Sequence, residues 1–198
     1  MKKTLLLGFA ALAFAVTFTS CGKVPQEKID AANAAIDTAK MVEADVYLAS
    51  DFTAVQDSMN AVMAGVEAQK SKLFKKFGPA SEKLDAILLQ ARQLKVNAIA
   101  KKDEVKKEVE ALTTETDSLM AVNATLLKKA PRGKEGAAVL EQIKTELDAI
   151  NATITEAKTM YTNGKYMDAL NKLNAAKDSA TKINTELNDA IAKVKGKR

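Results

Sequence analysis

Histidine and tryptophan are missing from this 198-residue chain, cysteine occurs once, proline three times and glycine eight times, and aromatic residues make up only 5%. Without histidine there is no imidazole general base, no serine–histidine or cysteine–histidine nucleophile pair, and no histidine-containing zinc site. A single cysteine excludes a disulfide framework, a CxxC redox pair and an iron–sulfur cluster. Carboxylate pairs do occur, Asp103 with Glu104 and Glu108 with Glu110, but they lie among lysines and read as solvated helix charges rather than acid–base catalysts. The expectation is a non-enzymatic protein with no metal or cofactor.

The helix breakers are placed as informatively as they are rare. Beyond residue 20, Pro25, Pro79 and Pro131, with Gly22, Gly78, Gly133, Gly136, Gly164 and Gly196, fall between stretches of apolar periodicity, and only Gly65 lies inside one. Five helices are predicted: Gln26 to Leu48, Phe52 to Lys76 with Ser50 or Asp51 as the intervening cap, Ala80 to Lys129, Ala137 to Tyr161, and Lys165 to Lys195. No segment alternates with period two, so no sheet is expected and the fold class is all-α, five helices in antiparallel coiled-coil-like packing.

The third helix carries an apolar residue every seventh position, Leu84, Ala91, Ala98, Val105, Leu112, Leu119 and Leu126, which predicts a packed seam. Its companion positions are apolar at the start (Ile87, Leu88, Leu94) and end (Val109, Val122), while Lys101, Lys102, Glu108 and Glu115 interrupt the middle. A helix of this length, ~75 Å at 1.5 Å per residue, can serve two shorter antiparallel partners end to end. The expected layout is two three-helix bundles sharing it, residues 26–104 and 105–198, with the charged stretch Lys101 to Lys107 as junction.

An internal repeat supports two bundles. Asp30 to Lys40 matches Asp148 to Lys158 at an offset of 118, identical at seven of eleven positions. The offset falls to 114 where Tyr47 and Phe52 match Tyr161 and Tyr166, so the first copy contains one additional helical turn, expected to keep the same face inward. The second turn, Asn163 to Leu170, resembles a tetratricopeptide-style turn, although two units fall short of a solenoid. Tyr47, Phe52, Tyr161 and Tyr166 are expected to converge at the junction, either capping two alanine-rich cores or forming an aromatic partner site.

At the start of the chain, Lys2 and Lys3 precede an apolar run from Leu5 to about Phe18, too short to span a membrane and shaped like a secretory signal of residues 1–20. Phe18-Thr19-Ser20-Cys21 resembles a bacterial lipobox, with Phe18 where the family usually has leucine. The resemblance implies a lipoprotein in which the Cys21 thiol receives a diacylglycerol, with 21–25 forming a short linker and the acyl chains holding the protein on a membrane. Gly22 in place of an aspartate implies the outer membrane, and the absence of an acidic cluster in Lys23 to Lys28 favours its periplasmic face. Cleavage after Ala13 or Ala15 by ordinary signal peptidase would instead leave a soluble protein with a free thiol. The rest of the chain resembles small alanine-rich helical bacterial lipoproteins of unknown function, by composition alone.

Removing Lys2 and Lys3 with the leader leaves 28 basic and 25 acidic residues, a net charge of +3, too balanced to point to nucleic acid. Basic residues do gather in two stretches expected to meet at one end: Lys128, Lys129, Arg132 and Lys134, and Lys193, Lys195, Lys197 and Arg198. They serve either as ordinary complements to helix C-termini or as a surface for an anionic cell-wall polymer, anionic lipid or acidic envelope protein. Four tripeptides, beginning at Asp37, Asp57, Asp117 and Asp178, resemble the Asp-Ser/Thr-apolar sequon of a bacterial periplasmic O-glycosylation system, which implies Thr38, Ser58, Ser118 and Ser179 as acceptors. The functional expectation is a lipid-anchored helical spacer or scaffold binding another envelope component. A periplasmic partner-binding or chaperone-like helical module, using exposed apolar helix faces, is the alternative.

Overall fold

The computed structural model describes residues 22–131 and 136–195, with side chains to Lys193. Among these residues every regular element is helical: α1 (Gln26–Met41), α2 (Ala44–Tyr47), α3 (Ala49–Lys70), α4 (Gly78–Lys129), α5 (Gly136–Thr162) and α6 (Tyr166–Lys195). The all-α class is as expected, with six helices in place of five. None of them is long and apolar enough to cross a membrane. The chain divides into two compact units between Ala100 and Lys101, four residues before the boundary expected from sequence. The fifty-two-residue α4 is unbroken, its first part belonging to one unit and its remainder to the other.

In the first unit α1, α2, α3 and the start of α4 enclose a core in which every buried side chain is apolar, including Ile29, Ile36, Phe52, Val66, Phe77 and Leu84. The Lys28 ammonium reaches Asp85 at 2.5 Å, and residues 31–38 face 88–95 across a shallow groove, so α1 runs parallel to this part of α4. α3 returns between them, with Ala61 to Gln69 lining the same groove as Lys76 to Lys83. Small residues allow this close approach: Ala32, Ala39, Ala91 and Ala98 are completely buried.

The first predicted helix is interrupted where the sequence suggested an uninterrupted additional turn. Buried positions in α1 run Ile29, Ala32, Ile36, Ala39, and the same three-four alternation would next place Glu43 in the core. Burying a carboxylate is costly, and the backbone avoids it by turning left-handed at Glu43, φ 63°. The four residues that follow form α2, which buries Ala44 and Tyr47 instead. Leu48, rather than Ser50 or Asp51, occupies the cap position of α3, without a side-chain capping bond; Asp51 lies in the first turn, complementing the helix dipole.

α3 also ends six residues earlier than predicted, at Lys70 rather than Lys76. Continuing the helix would stack Lys72 against Lys75 and Lys76 on one face, a like-charge arrangement that weakens helices. Ser71 Oγ donates to the Ala68 carbonyl (3.1 Å), and the Gln69 side-chain oxygen accepts from the Lys76 backbone N–H (3.3 Å).

In the second unit α5 and α6 form an antiparallel hairpin on the rest of α4. Lys158 reaches Asp117 (2.8 Å) and Lys177 reaches Glu115 (2.7 Å), while Asn123 contacts Ala180, so α6 is parallel to α4 here. Ile143, Leu147, Ile150, Ile154 and Ala157 of α5, and Ala169, Leu173, Ala176, Ala180, Ile183 and Leu187 of α6, form the buried seams of the hairpin, with Tyr161 only half-buried at the end of the α5 series.

The α4 seam departs from its seven-residue register in this unit. Leu119 and Leu126 are half-buried and Val122 is 49% exposed, whereas Thr116, Met120 and Asn123 are buried. A straight helix of 3.6 residues per turn falls behind a strict seven-residue repeat, so within this unit the buried positions Leu112, Thr116 and Met120 advance by fours where the repeat would place Leu119. Burial moves from 119 to 120 accordingly.

Candidate functional site

The expected lipid attachment, Cys21, lies outside the described residues, but the chain that follows it is held close to the first unit. Val24 packs against the core, its carbonyl accepts from Gln26 N–H (2.8 Å), and the Pro25 carbonyl accepts from Lys28 and Ile29 (both 3.1 Å). Only Gly22 and Lys23 separate position 21 from a core-packed side chain.

The four aromatics occupy two different environments. Tyr47 and Phe52 are 6% and 5% exposed, and Phe52 belongs to the first core. Tyr161 and Tyr166 are half-buried in the second unit, with ring centroids 5.2 Å apart at a 49° tilt. The Lys102 ammonium stands 5.9 Å from the Tyr166 centroid, at the outer limit of a cation–π contact.

The Tyr161 hydroxyl donates to a Glu110 carboxylate oxygen. This hydrogen bond, with burial and the nearby Glu110 charge, pushes the phenol from 10.0 up to about 12. Glu110, Thr113, Lys158, Tyr161 and Thr162 line an open depression of about 310 Å³. A phenol whose single proton is held by a carboxylate is no nucleophile near neutral pH. Glu110 was legible in sequence only as a helix-surface acid; its pairing with Tyr161 depends on the α4–α5 register.

Of the expected cationic cluster, Lys128 and Lys129 are exposed at the end of α4 and Lys193 is exposed in the last turns of α6. Arg132, Lys134, Lys197 and Arg198 lie outside the described residues, as does the side chain of Lys195. Among the described residues no group of three or more acidic, cysteine or histidine side chains is placed to hold a metal ion.

The sequon hydroxyls all lie within helices: Ser58, Ser118 and Ser179 are exposed and Thr38 is half-buried. Each donates to the carbonyl four residues earlier, Ala34 (2.6 Å), Ala54 (2.8 Å), Thr114 (2.8 Å) and Ala175 (3.0 Å) respectively. In three of the four the following apolar residue, Ala39, Met59 or Ala180, is a core side chain, which accounts for that residue's character by packing.

No protein-family model, curated protein or solved structure matches the chain.

Sequence inspection did not single out Asn123. Its Nδ2 donates to the Ala180 carbonyl and its Oδ1 accepts from Asn184, both at 2.7 Å, and Asn188 donates on to the Asn184 carbonyl (2.9 Å) and side-chain oxygen (3.0 Å). This ladder joins α4 to α6 and fixes their register, a structural role that a lone asparagine in a polar-rich sequence does not reveal.

Proposed function

We propose that the protein is a lipid-anchored, non-enzymatic helical spacer or scaffold of the bacterial cell envelope, tethered through Cys21 in the outer membrane on its periplasmic side and binding another envelope component. The observation that carries this reading is α4, one fifty-two-residue helix built into the cores of both units. The lysines around Lys128, Lys129 and Lys193, with the basic residues on either side of them in sequence, supply charge for an anionic cell-wall polymer or an acidic envelope protein. Thr38, Ser58, Ser118 and Ser179 are proposed O-glycosylation acceptors, to be tested by the intact mass of the native protein.

Fatty-acid labelling of cells expressing the full chain tests the tether: label is expected on the wild type and absent from Cys21→Ser. An unlabelled wild type would remove the lipoprotein reading. Capture on isolated cell-wall polymer, with and without residues 193–198, tests the partner, and equal capture of both forms would sink the proposed role of the basic tail.

The partner-binding or chaperone-like reading draws on an open groove of about 400 Å³ between α5 and α6, which includes Ala149, Ile150, Ala176 and Ile183. Helix-in-groove recognition would use such a surface. Binding of unfolded clients that persists without the tail would favour this reading over the spacer.

A further inference from the structure

The first unit contains a surface that the tether and the basic tail leave unexplained. Between α3 and α4 the chain reads Ser71-Lys72-Leu73-Phe74-Lys75-Lys76-Phe77, and its two central apolar side chains point into solvent, Leu73 90% and Phe74 80% exposed. A neighbouring phenylalanine shows the contrast, since Phe77 is 2% exposed and packs into the core. The loop is pinned at both ends, by Phe77 on one side and by the Ser71–Ala68 and Gln69–Lys76 hydrogen bonds across it. Leu73 and Phe74 are thus held on a short, secured projection.

Charge singles out the same loop. No acidic residue occurs between Glu67 and Glu82, an interval holding Lys70, Lys72, Lys75 and Lys76; Lys70 pairs with Glu67 at 2.6 Å, leaving the other three cations beside the exposed apolar pair. Two adjacent apolar side chains framed by lysines match the chemistry of an anionic phospholipid interface, where acyl chains accept the apolar groups and headgroup phosphates the ammonium groups.

Position within the unit favours lipid over a protein partner. Because α1 runs parallel to the start of α4 and α3 antiparallel, the beginning of α1 and the α3–α4 loop lie at the same end of this unit. Val24 packs on the core that also contains Phe77, and the chain leaves from there towards Cys21. A lipid attached at Cys21 would bring a membrane surface to this end.

We propose that the Ser71–Phe77 loop is a second membrane contact, Leu73 and Phe74 inserting into the interface of an anionic phospholipid surface while Lys72, Lys75 and Lys76 contact its headgroups. Its position beside the tether rests on the lipid-anchored reading, but its affinity for lipid does not require Cys21. Acyl anchors gain durability from an additional apolar or basic signal, and this loop supplies both.

The test uses residues 22–198, which lack Cys21 but contain every core side chain among the described residues, with vesicles of phosphatidylglycerol mixed into phosphatidylcholine. Co-sedimentation is expected with these, to weaken as salt is raised, and to be at least tenfold poorer with phosphatidylcholine alone, since each lysine near an anionic surface multiplies partitioning by about fivefold. Changing Leu73→Ser and Phe74→Ser together is expected to lower binding by about tenfold or more, and Lys72→Gln, Lys75→Gln and Lys76→Gln together by about a hundredfold, with helical circular dichroism unchanged. The chain contains no tryptophan, so Phe74→Trp in an otherwise unaltered protein places a single reporter in the loop, whose emission should shift to the blue with mixed vesicles. Equal binding to both vesicle types, an unshifted Phe74→Trp emission, or binding indifferent to both sets of substitutions in folded protein would overturn the proposal. These results are independent of fatty-acid labelling at Cys21, so failure of the loop and failure of the tether are separately visible.

Discussion

The two units solve the same hairpin differently, and their turns show how. In the second, α5 ends at Thr162 and Gly164 beyond it is left-handed, φ 77°, with Gly164 N–H bonded to the Tyr161 carbonyl and Lys165 N–H to the Met160 carbonyl, both at 2.9 Å. This is the Schellman pattern, and glycine accommodates it without steric cost. In the first, Glu43 takes the left-handed conformation, a short helix follows, and Tyr47 and Phe52 are buried, whereas Tyr161 and Tyr166 remain half-buried. The cores differ correspondingly: the first is apolar throughout its described residues, and the second contains Asn123 and Thr116. Similar local sequence thus supports one unit ordered by aromatic packing and another whose register is specified by a buried amide.

Removing the aromatic anchor should break this comparison most sharply. Phe77→Ala is expected to cost about 3–5 kcal/mol in denaturant melts, with amide exchange rising more in α1 and α3 than in α5 and α6. Next in size is the polar ladder: Asn123→Ala should destabilise by about 2–3 kcal/mol, by losing the α4–α6 hydrogen bonds and opening a cavity. Asn123→Leu should cost less, because it refills the volume. If Asn123→Ala leaves stability unchanged, the second unit does not depend on its amide for order.

The turns should differ by a smaller margin. Gly164→Ala forces a β-carbon into a left-handed position and should cost about 1–2 kcal/mol by thermal melting, whereas Glu43→Gly relieves that conformation and should cost less. The smallest effect is confined to high pH. Tyr161 has its folded-state value raised to about 12 from 10.0, so its stabilising contribution is complete below about pH 10 and is lost as pH rises towards 12. Phenolate absorbance should show Tyr161 titrating late, a step that Tyr161→Phe or Glu110→Gln should abolish.

Much of the architecture could be read from residue order. The absence of proline, and of every glycine but Gly65, from five stretches marked the helices, and the match of Asp30–Lys40 to Asp148–Lys158 announced a repeated hairpin. The candidate sites were less legible: Tyr161 and Tyr166 were identifiable as an aromatic pair, but Glu110 became their partner only through the α4–α5 register. Leu73 and Phe74, placed inside a helix by the sequence reading, lie instead in an exposed loop, because α3 ends at Lys70.

Sequence alone determined that this chain is helical, where most of its breaks fall, and which chemistries are closed to it, since these follow from local propensity and from side chains that are absent. Tertiary structure decided which way Glu43 turns, which α4 residues of the second unit are buried, and whether an aromatic is buried or at the surface. Each of those depends on what packs on the other side, a quantity fixed only when distant parts of the chain meet.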